Sequence, residues 1–262
     1  MRSLFKILLI IFVVLGFSLL LTLASEYFIP GMEVRPLAIF YLSTTLNPWM
    51  QNLTANSPEA VTAIVWDYRG LDTLFETAVF YLALIAGISL ARGISLKANP
   101  GKEGGLSVIV KSVTKITAPM IIAVGASIGL HGHLTPGGGF QGGATIAVIP
   151  LLIIIVFSIY YLLNRRVTKE NMLMLRSIGL VGIGVTALAA FLTGLVLGES
   201  AYVFQNMAKP TSPVTFPATL NGFLISGSLW FFNFFEMIAV AAGFTIAFLL
   251  LTYPSRSEGE EK

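Results

Sequence analysis

The chain contains no cysteine among its 262 residues, which excludes disulfides, thiolate metal sites and iron–sulfur ligation within it. Charge is also scarce, since only 11% of the residues are charged against about 25% in a soluble domain. Histidine occurs only twice, which leaves little material for a metalloenzyme site. Hydrophobic residues make up 55% of the chain. This composition predicts a membrane protein with no role in nucleic-acid binding.

Apolar stretches of about 20 residues, long enough to cross a hydrocarbon core of about 30 Å, recur along the chain. The first is too long for the apolar core of a signal peptide, which is about 7–15 residues, so we interpret it as an uncleaved anchor. The pattern predicts an all-α, polytopic membrane protein with about six transmembrane helices, at Leu4–Ala24, Thr73–Ala91, Val108–Leu130, Phe140–Leu163, Met172–Leu197 and Leu224–Thr252.

Basic residues predict the orientation of these spans. When successive loops alternate between the two sides, only Arg35, Arg69 and Lys209 of the 16 Lys and Arg residues fall on one side. Cytoplasmic loops carry the excess of Lys and Arg, so both termini are predicted to be cytoplasmic, in a multi-pass protein of the cell membrane. The 26–72 segment, the 131–139 turn and the 198–220 loop are then predicted to face outward.

The order of these features predicts four regions. Residues 1–96 form a two-span region with a long outer segment, and 97–105, "KANPGKEGG", form a turn-rich linker. Residues 106–252 form a four-span domain, and 253–262 form a charged tail. Within the outer segment, Ser57-Pro58-Glu59 resembles a helix start and predicts one continuous helix that runs along the surface into the second span.

The stretch "HGHLTPGGGFQGG" (131–143) lies between two apolar runs. Gly132 is expected to end one helix in the left-handed conformation, and Thr135-Pro136 to begin the next. A phosphate-binding loop is excluded because no strand precedes the glycines and the Lys-Ser/Thr pair is missing. A metal on His131 and His133 would need further ligands that the sequence does not place.

Glycines of this turn are spaced for close helix packing. Gly138 with Gly142, and Gly139 with Gly143, are small residues four apart, which lets helix backbones approach closely in lipid. We expect this turn to pack against sister subunits.

Glu236 lies in the middle of the last span, in "WFFNFFEMIAV", with Asn233 one turn earlier on the same face. A charged group at the centre of a membrane helix costs at least about 2.5–3.5 kcal/mol, so it needs a reason to be there. Glu236 is interpreted as a relay for protons or cations. The alternative is a hydrogen-bonded glutamate that locks helices together.

Asp72 and Glu76 are four residues apart and share a helix face at the end of the second span. A carboxylate pair at this place could gather cations. Arg69, one turn before Asp72, could instead neutralise them in a static salt bridge, and the spacing supports both interpretations equally.

Other polar residues are weaker candidates for an ion path. Lys115, with Lys111 one turn earlier, is expected to extend to the lipid headgroups or to pair with a carboxylate of a neighbouring subunit. His131 and His133 titrate near neutral pH and suit a proton entry or a polar plug. Gln141 could serve either as a hydrogen-bond partner.

Two motifs resemble known families. "HGHLTPGGGFQGGATIA" (131–147) resembles the signature of the MnhB/MrpB family, membrane subunits of multi-subunit Na+/H+ antiporters, and the likeness extends over about 106–252. "VWDYRGLDTLFETAVFYLALIAG" (65–87) resembles a segment near the end of the antiporter A subunit. In archaeal membrane-bound hydrogenases and related sulfur-reducing complexes, that segment is a small E-type subunit. The chain thus resembles an E-type subunit joined to an MnhB-like subunit. Phe75 stands where the E-type segment often has glycine.

The resemblance implies a non-catalytic membrane subunit of a Mrp-type antiporter module, with Na+ and H+ as transported ions and no cofactor of its own. It also favours an ion-path role for Asp72 and Glu76 over the static salt bridge. Its implied partners are other antiporter subunits in a hetero-oligomeric complex, hydrogenase-like or sulfur-reductase-like subunits, and membrane lipid. Two other classes stay open: a purely structural scaffold of that complex, and a stand-alone secondary transporter, which would show broken helices in matching halves.

Overall fold

The computed structural model describes residues 2–28, 34–50, 53–91, 99 and 104–252. The predicted 253–262 tail and most of the predicted 97–105 linker lie outside these residues. In chain order the elements are α1 (Arg2–Phe28), α2 (Pro36–Thr45), α3 (Ala60–Ala63), a π-helical turn (Ile64–Tyr68), α4 (Gly70–Leu90), α5 (Val108–Leu130), α6 (Gly139–Val156), α7 (Ile159–Leu163), α8 (Lys169–Leu197), β1 (Thr219–Leu220), β2 (Phe223–Leu224) and α9 (Ser228–Leu251).

Six of the described helices, α1, α4, α5, α6, α8 and α9, are long and apolar enough to cross a membrane. The prediction of an all-α chain with six spans is therefore confirmed. The placement of the termini on the cytoplasmic side stays a prediction. Residues up to 40, which include α1, form one compact unit, and residues 41–262 form a second unit that contains the other five spans.

Helix α9 is the central element of the second unit, where it packs along α6 and α8 and more briefly against α4 and α5. Glycines make this packing close. A methyl group at Gly139 would lie 2.5 Å from the Asn233 carbonyl oxygen, and one at Gly143 would lie 2.6 Å from the Met237 carbonyl oxygen. A methyl group at Gly142 would meet α5 in the same way, 2.7 Å from the carbonyl oxygen of Gly125. These contacts lie within the chain, between α6 and its neighbours α9 and α5; packing of the turn against sister subunits stays a prediction.

The turn between α5 and α6 differs in detail from its prediction. The positive φ angles occur at Gly137 and Gly138, both +149°, and not at Gly132. Gly132 is needed for a different reason: there is no room for a side chain, since a methyl group there would lie 2.6 Å from the Gly138 Cα. Helix α6 begins only at Gly139, so Thr135-Pro136 does not start it. We call the end of the bundle that carries residues 131–138 the turn end.

The predicted continuous helix before α4 is broken. Glu59, not Ser57, caps α3 by accepting a hydrogen bond from the Thr62 N–H (2.5 Å). Helix α3 passes into the π-helical turn, and Arg69, with φ −132° and ψ 34°, separates that turn from α4. Ser57 is used elsewhere, since its hydroxyl donates to the His133 carbonyl oxygen (2.7 Å). The short segment is thereby fixed to the turn end.

Two further span boundaries need correction. The fourth predicted span ran to Leu163, but α6 ends at Val156 and Ser158 has a φ of +121°, so α7 is a separate helix. The last span was predicted from Leu224, which instead lies in β2 of a hairpin. Asn221 and Gly222 form its tip with positive φ angles of 49° and 82°, as a two-residue hairpin turn requires.

Candidate functional site

A cavity of about 180 Å³ lies at the turn end, where α3, the π-helical turn, α4, α6 and α9 meet. Its walls combine apolar side chains with hydroxyl, amide and carboxyl groups. The lining residues are Val61, Thr62, Val65, Trp66, Thr73, Glu76, Gly137, Gly138, Phe140, Gln141, Asn233 and Glu236. Several residues predicted from separate parts of the sequence therefore share one cavity.

Glu236 supplies the buried acid of this cavity, with only 7% of the residue exposed. It projects from the first half of α9, because Gly139 leaves room for it: a methyl group at Gly139 would lie 2.6 Å from the Glu236 Cβ. The backbone N–H of Phe140, in the first turn of α6, lies beside the carboxyl group. The N-terminus of α6, which carries partial positive charge, therefore faces the Glu236 carboxyl group.

Two donors next to Glu236 have no partner. The Trp66 indole stacks on Phe232 with ring centroids 4.4 Å apart and lies beside the Glu236 carboxyl. Its Nε1 forms no hydrogen bond within the described residues, and neither does Asn233 Nδ2, although Asn233 Oδ1 accepts from the Gly139 N–H (3.3 Å). Buried donors are normally satisfied. The cavity thus suits a few water molecules or a hydrated cation, since each water occupies about 30 Å³.

Glu76 is the second acid of the cavity. It is exposed in the isolated chain, and its charge acts on that of Glu236. Gln141, also exposed, lines the same side of the cavity. Thr73, one turn before Glu76, donates its hydroxyl to the Val65 carbonyl oxygen (2.6 Å), which holds α4 against the π-helical turn. We call the side with Glu76 and Gln141 the mouth.

Asp72 does not line the cavity. It forms an ion pair with Arg69, and both side chains are exposed. Of the two predicted carboxylates, only Glu76 therefore reaches Glu236, whereas Asp72 has the static partner that the spacing allowed.

The two histidines also lie outside the cavity and do not converge. His133 is buried, and its Nε2 donates to the Leu224 carbonyl oxygen (2.8 Å). Burial lowers the pKa of His133, so the ring is neutral and joins the turn to the hairpin. His131 is exposed, with its Nδ1 3.4 Å from the Ser127 hydroxyl. Within the described part of the chain, no three acidic or histidine side chains are grouped so that they could hold a metal ion.

Lys115 lies toward the other end of α5 from the turn, so the structure does not bring it to the cavity. It is exposed, and its Nζ lies 6.0 Å from the centroid of the Phe157 ring. The Nζ of Lys111 lies 5.8 Å from the same ring. Both lysines therefore flank the break after α6.

An ion pair that was not predicted from the sequence lies beside the site. Lys209 Nζ lies 3.5 Å from Asp67 Oδ2, and the Asp67 side chain is only 2% exposed. Burial raises the pKa of Asp67, and the charge of Lys209 opposes that rise. The pair joins the loop after α8 to the π-helical turn. Two features of the sequence indicate this pair: an aspartate within an apolar segment and a single lysine in an outer loop.

Arg176 lies inside α8 and is completely buried, which was also not predicted. It was grouped with the basic residues of the loops. An arginine within a predicted span is itself a signal, because such groups are rare and face the interior of a bundle.

Comparison with known sequences identifies the family. The profile of a domain related to the MnhB subunit of Na+/H+ antiporter matches residues 109–246, more than half of the chain. The chain belongs to this MnhB-related family. The matched region covers α6, α8 and all but the ends of α5 and α9, and so includes Glu236 and the glycine turn.

Three proteins show how far the likeness of this MnhB-related chain extends. A chain of the membrane-bound sulfane sulfur reductase, an archaeal respiratory membrane complex, is 27% identical, with a TM-score of 0.62 over 97% of this chain and 99% of that one. An uncharacterised protein of Methanocaldococcus jannaschii is 28% identical over 92% of this chain and 89% of its own length.

The third is a chain of the Mrp complex from a Dietzia species, which is 19% identical with a TM-score of 0.59. The match covers 94% of this chain but only 26% of the Dietzia chain. At this identity, the likeness is one of fold alone.

Proposed function

We propose that this MnhB-related chain is a non-catalytic subunit of a Mrp-type cation/proton translocation module, and that Glu236 passes protons or sodium ions through it. The observation that carries this proposal is the cavity, which places the buried Glu236 and the exposed Glu76 around one polar space. Two unpartnered donors, Trp66 Nε1 and Asn233 Nδ2, line the same space. A glutamate that only locked two helices would need neither the space nor the second acid.

The module is proposed to work within a larger respiratory complex. The supporting observation is the likeness to the sulfane sulfur reductase chain, which extends over nearly the whole of both chains. Partners of this kind would be antiporter subunits together with sulfur-reductase-like or hydrogenase-like subunits in the cell membrane. In this proposal residues 1–96 correspond to the E-type segment and 106–252 to the MnhB-like domain.

The roles within the path follow from position. Glu76 and Gln141 receive the ion at the mouth, and Glu236 with Asn233 holds it inside. Carboxylates bind both protons and sodium ions, so either ion suits this arrangement. Asp72, with Arg69, and the two histidines are assigned to the surroundings of the path, where they keep the turn end in place.

Glu236→Gln tests the relay in the complete complex reconstituted into vesicles. Glutamine keeps the volume and the hydrogen-bonding oxygen but exchanges no proton and carries no charge. We expect normal assembly on native gels and a loss of most sodium or proton transport. Glu199→Gln is the matched control, since Glu199 is an exposed acid outside the cavity and its loss should leave transport unchanged.

The scaffold interpretation makes the opposite prediction. If Glu236→Gln transports ions at the wild-type rate, then the relay is wrong and the chain only holds its neighbours in place. Ion flux through the purified chain alone would instead indicate a stand-alone transporter.

A further inference from the structure

Arg176 is a buried cation for which the proposed ion path gives no use. The residue is 0% exposed. Its Nη1 donates to the Ala239 carbonyl oxygen (2.7 Å) and its Nη2 to the Thr77 carbonyl oxygen (3.3 Å). The guanidinium carbon also lies 4.4 Å from the centroid of the Phe80 ring. Within the described residues no carboxylate forms an ion pair with it, so its charge is held by carbonyl dipoles and a ring face.

Its contacts place this charge directly beyond the two acids of the cavity. Thr77 follows Glu76 on α4. On α9, the guanidinium lies against Ala239 and Gly243, three and seven residues past Glu236, or about 4.5 and 10.5 Å farther along the axis at 1.5 Å per residue. Both helices begin at the turn end, and helical side chains lean toward the N-terminus of their helix. The glutamates therefore lean toward the cavity, and the guanidinium lies on the far side of them.

The structure makes room for the guanidinium at this place. A methyl group at Gly243 would lie 2.5 Å from Arg176 Nη1, 3.0 Å from the Phe80 ring and 3.1 Å from Leu84. Leu84 is itself buried on the same face of α4 as Thr77. The space beyond the acids is thus filled by one permanent positive charge with apolar side chains packed around it.

We propose that Arg176 closes the inner end of the cavity to cations, so that an ion at Glu236 enters and leaves through the mouth beside Glu76 and Gln141. A guanidinium stays protonated under all physiological conditions. In a site of low dielectric constant its repulsion of a second cation is strong. The next group on the path is then supplied by another subunit at the mouth. This inference rests on the proposed function, which it deepens by giving the path a direction.

Passive ion leak tests the barrier in the reconstituted complex. With no redox substrate and an imposed membrane potential, Arg176→Gln should raise sodium or proton leak about tenfold or more, the ratio that corresponds to 1.4 kcal/mol. Arg176→Lys, which keeps the charge, should leak far less than Arg176→Gln. Lys169→Gln is the control, because it removes a positive charge from the same helix, two turns away at its start, where Lys169 pairs with the exposed Glu170. An assembled Arg176→Gln complex that leaks like the wild type would overturn the proposal.

A second measurement leaves Arg176 intact and stays decisive if Arg176→Gln does not assemble. The chain has no cysteine, so Thr73→Cys reports the cavity and Leu84→Cys the space beyond Arg176. A charged thiol reagent applied from the turn end should modify the Thr73→Cys variant faster than the Leu84→Cys variant by about tenfold or more. A tenfold ratio corresponds to about 1.4 kcal/mol. Equal rates would mean that the aqueous space continues past Arg176, and the barrier would be wrong. Because this measurement requires no transport, it separates failure of the barrier from failure of the Glu236 relay.

Discussion

Gly139→Ala is expected to destabilise the chain because it forces α6 away from α9. The added methyl group would lie 2.5 Å from the Asn233 carbonyl oxygen and 2.6 Å from the Glu236 Cβ, where carbon atoms normally stay about 3.5–4.0 Å apart. The nearest atom belongs to the backbone of a packed helix and has little freedom to move.

Overpacking of this kind costs about 1–3 kcal/mol, and the contact with backbone favours the upper end of that range. Replacing glycine by alanine in a helix returns at most about 1 kcal/mol. The clash therefore outweighs the helix propensity, and the net loss is about 2 kcal/mol. In a chain of this size, that loss lowers the Tm by roughly 4–8 °C.

The assay is thermal unfolding of the purified full chain in detergent, with Gly184→Ala as the matched control. Gly184 lies in α8, and a methyl group there would meet nothing within 4 Å. Its substitution should leave the Tm unchanged or raise it slightly. If Gly139→Ala unfolds at or above the wild-type Tm, then the inferred close contact between α6 and α9 does not exist.

Two other predictions concern the surroundings of the cavity. Because burial lowers the pKa of His133 below 6.5, the unfolded chain binds this proton at a higher pH than the folded chain. The contribution to stability is fully present above 6.5 and is lost as the pH falls from 6.5 through the lowered pKa of the folded chain. Hydrogen exchange in residues 131–138 should increase between pH 7.5 and 5.5, and His133→Gln should abolish the change while His131→Gln retains it. Lys209→Met leaves the Asp67 charge buried without its partner and should cost about 3–5 kcal/mol. The double variant Asp67→Asn/Lys209→Met should recover most of that loss, and equal Tm values for the single and double variants would show that the pair is not coupled.

The spans were predictable because long apolar runs have one physical solution in lipid. A run such as Val108–Leu130 must satisfy its own backbone hydrogen bonds, and a single helix does so; its predicted and observed bounds agree. Glu236 was predictable for a related reason, since an acid inside such a run stands out against its neighbours.

The breaks in the helices were not predictable because contacts far along the chain cause them. Ser158 has a φ of +121° although no glycine or proline marks the place. The π-helical turn brings Trp66 onto Phe232 of α9, a contact between residues far apart in sequence. No local pattern encodes this stacking. The cavity itself depends on it, since Trp66 forms one of its walls.

Arg176 shows a different limit of sequence reasoning. Counting basic residues to orient a membrane protein treats each of them as part of a loop, but this residue is buried between α4, α8 and α9. The charge count therefore needs the position of each residue within its span. Arg176 lies within the predicted fifth span, which marks it as a candidate for the interior of the bundle, and its packing beside Gly243 shows where it lies.

Gly139 and Glu236 are in contact, so together they separate a conduit from a scaffold. Glu236→Gln removes a charge and keeps the volume, whereas Gly139→Ala adds volume and keeps every charge. A conduit requires the first variant to assemble and unfold like the wild type but to lose transport. A scaffold requires that only the second variant matters, with transport falling only as far as assembled complex is lost. If each variant loses transport in proportion to its loss of Tm, then the acid stabilises the helix pair and carries no ion.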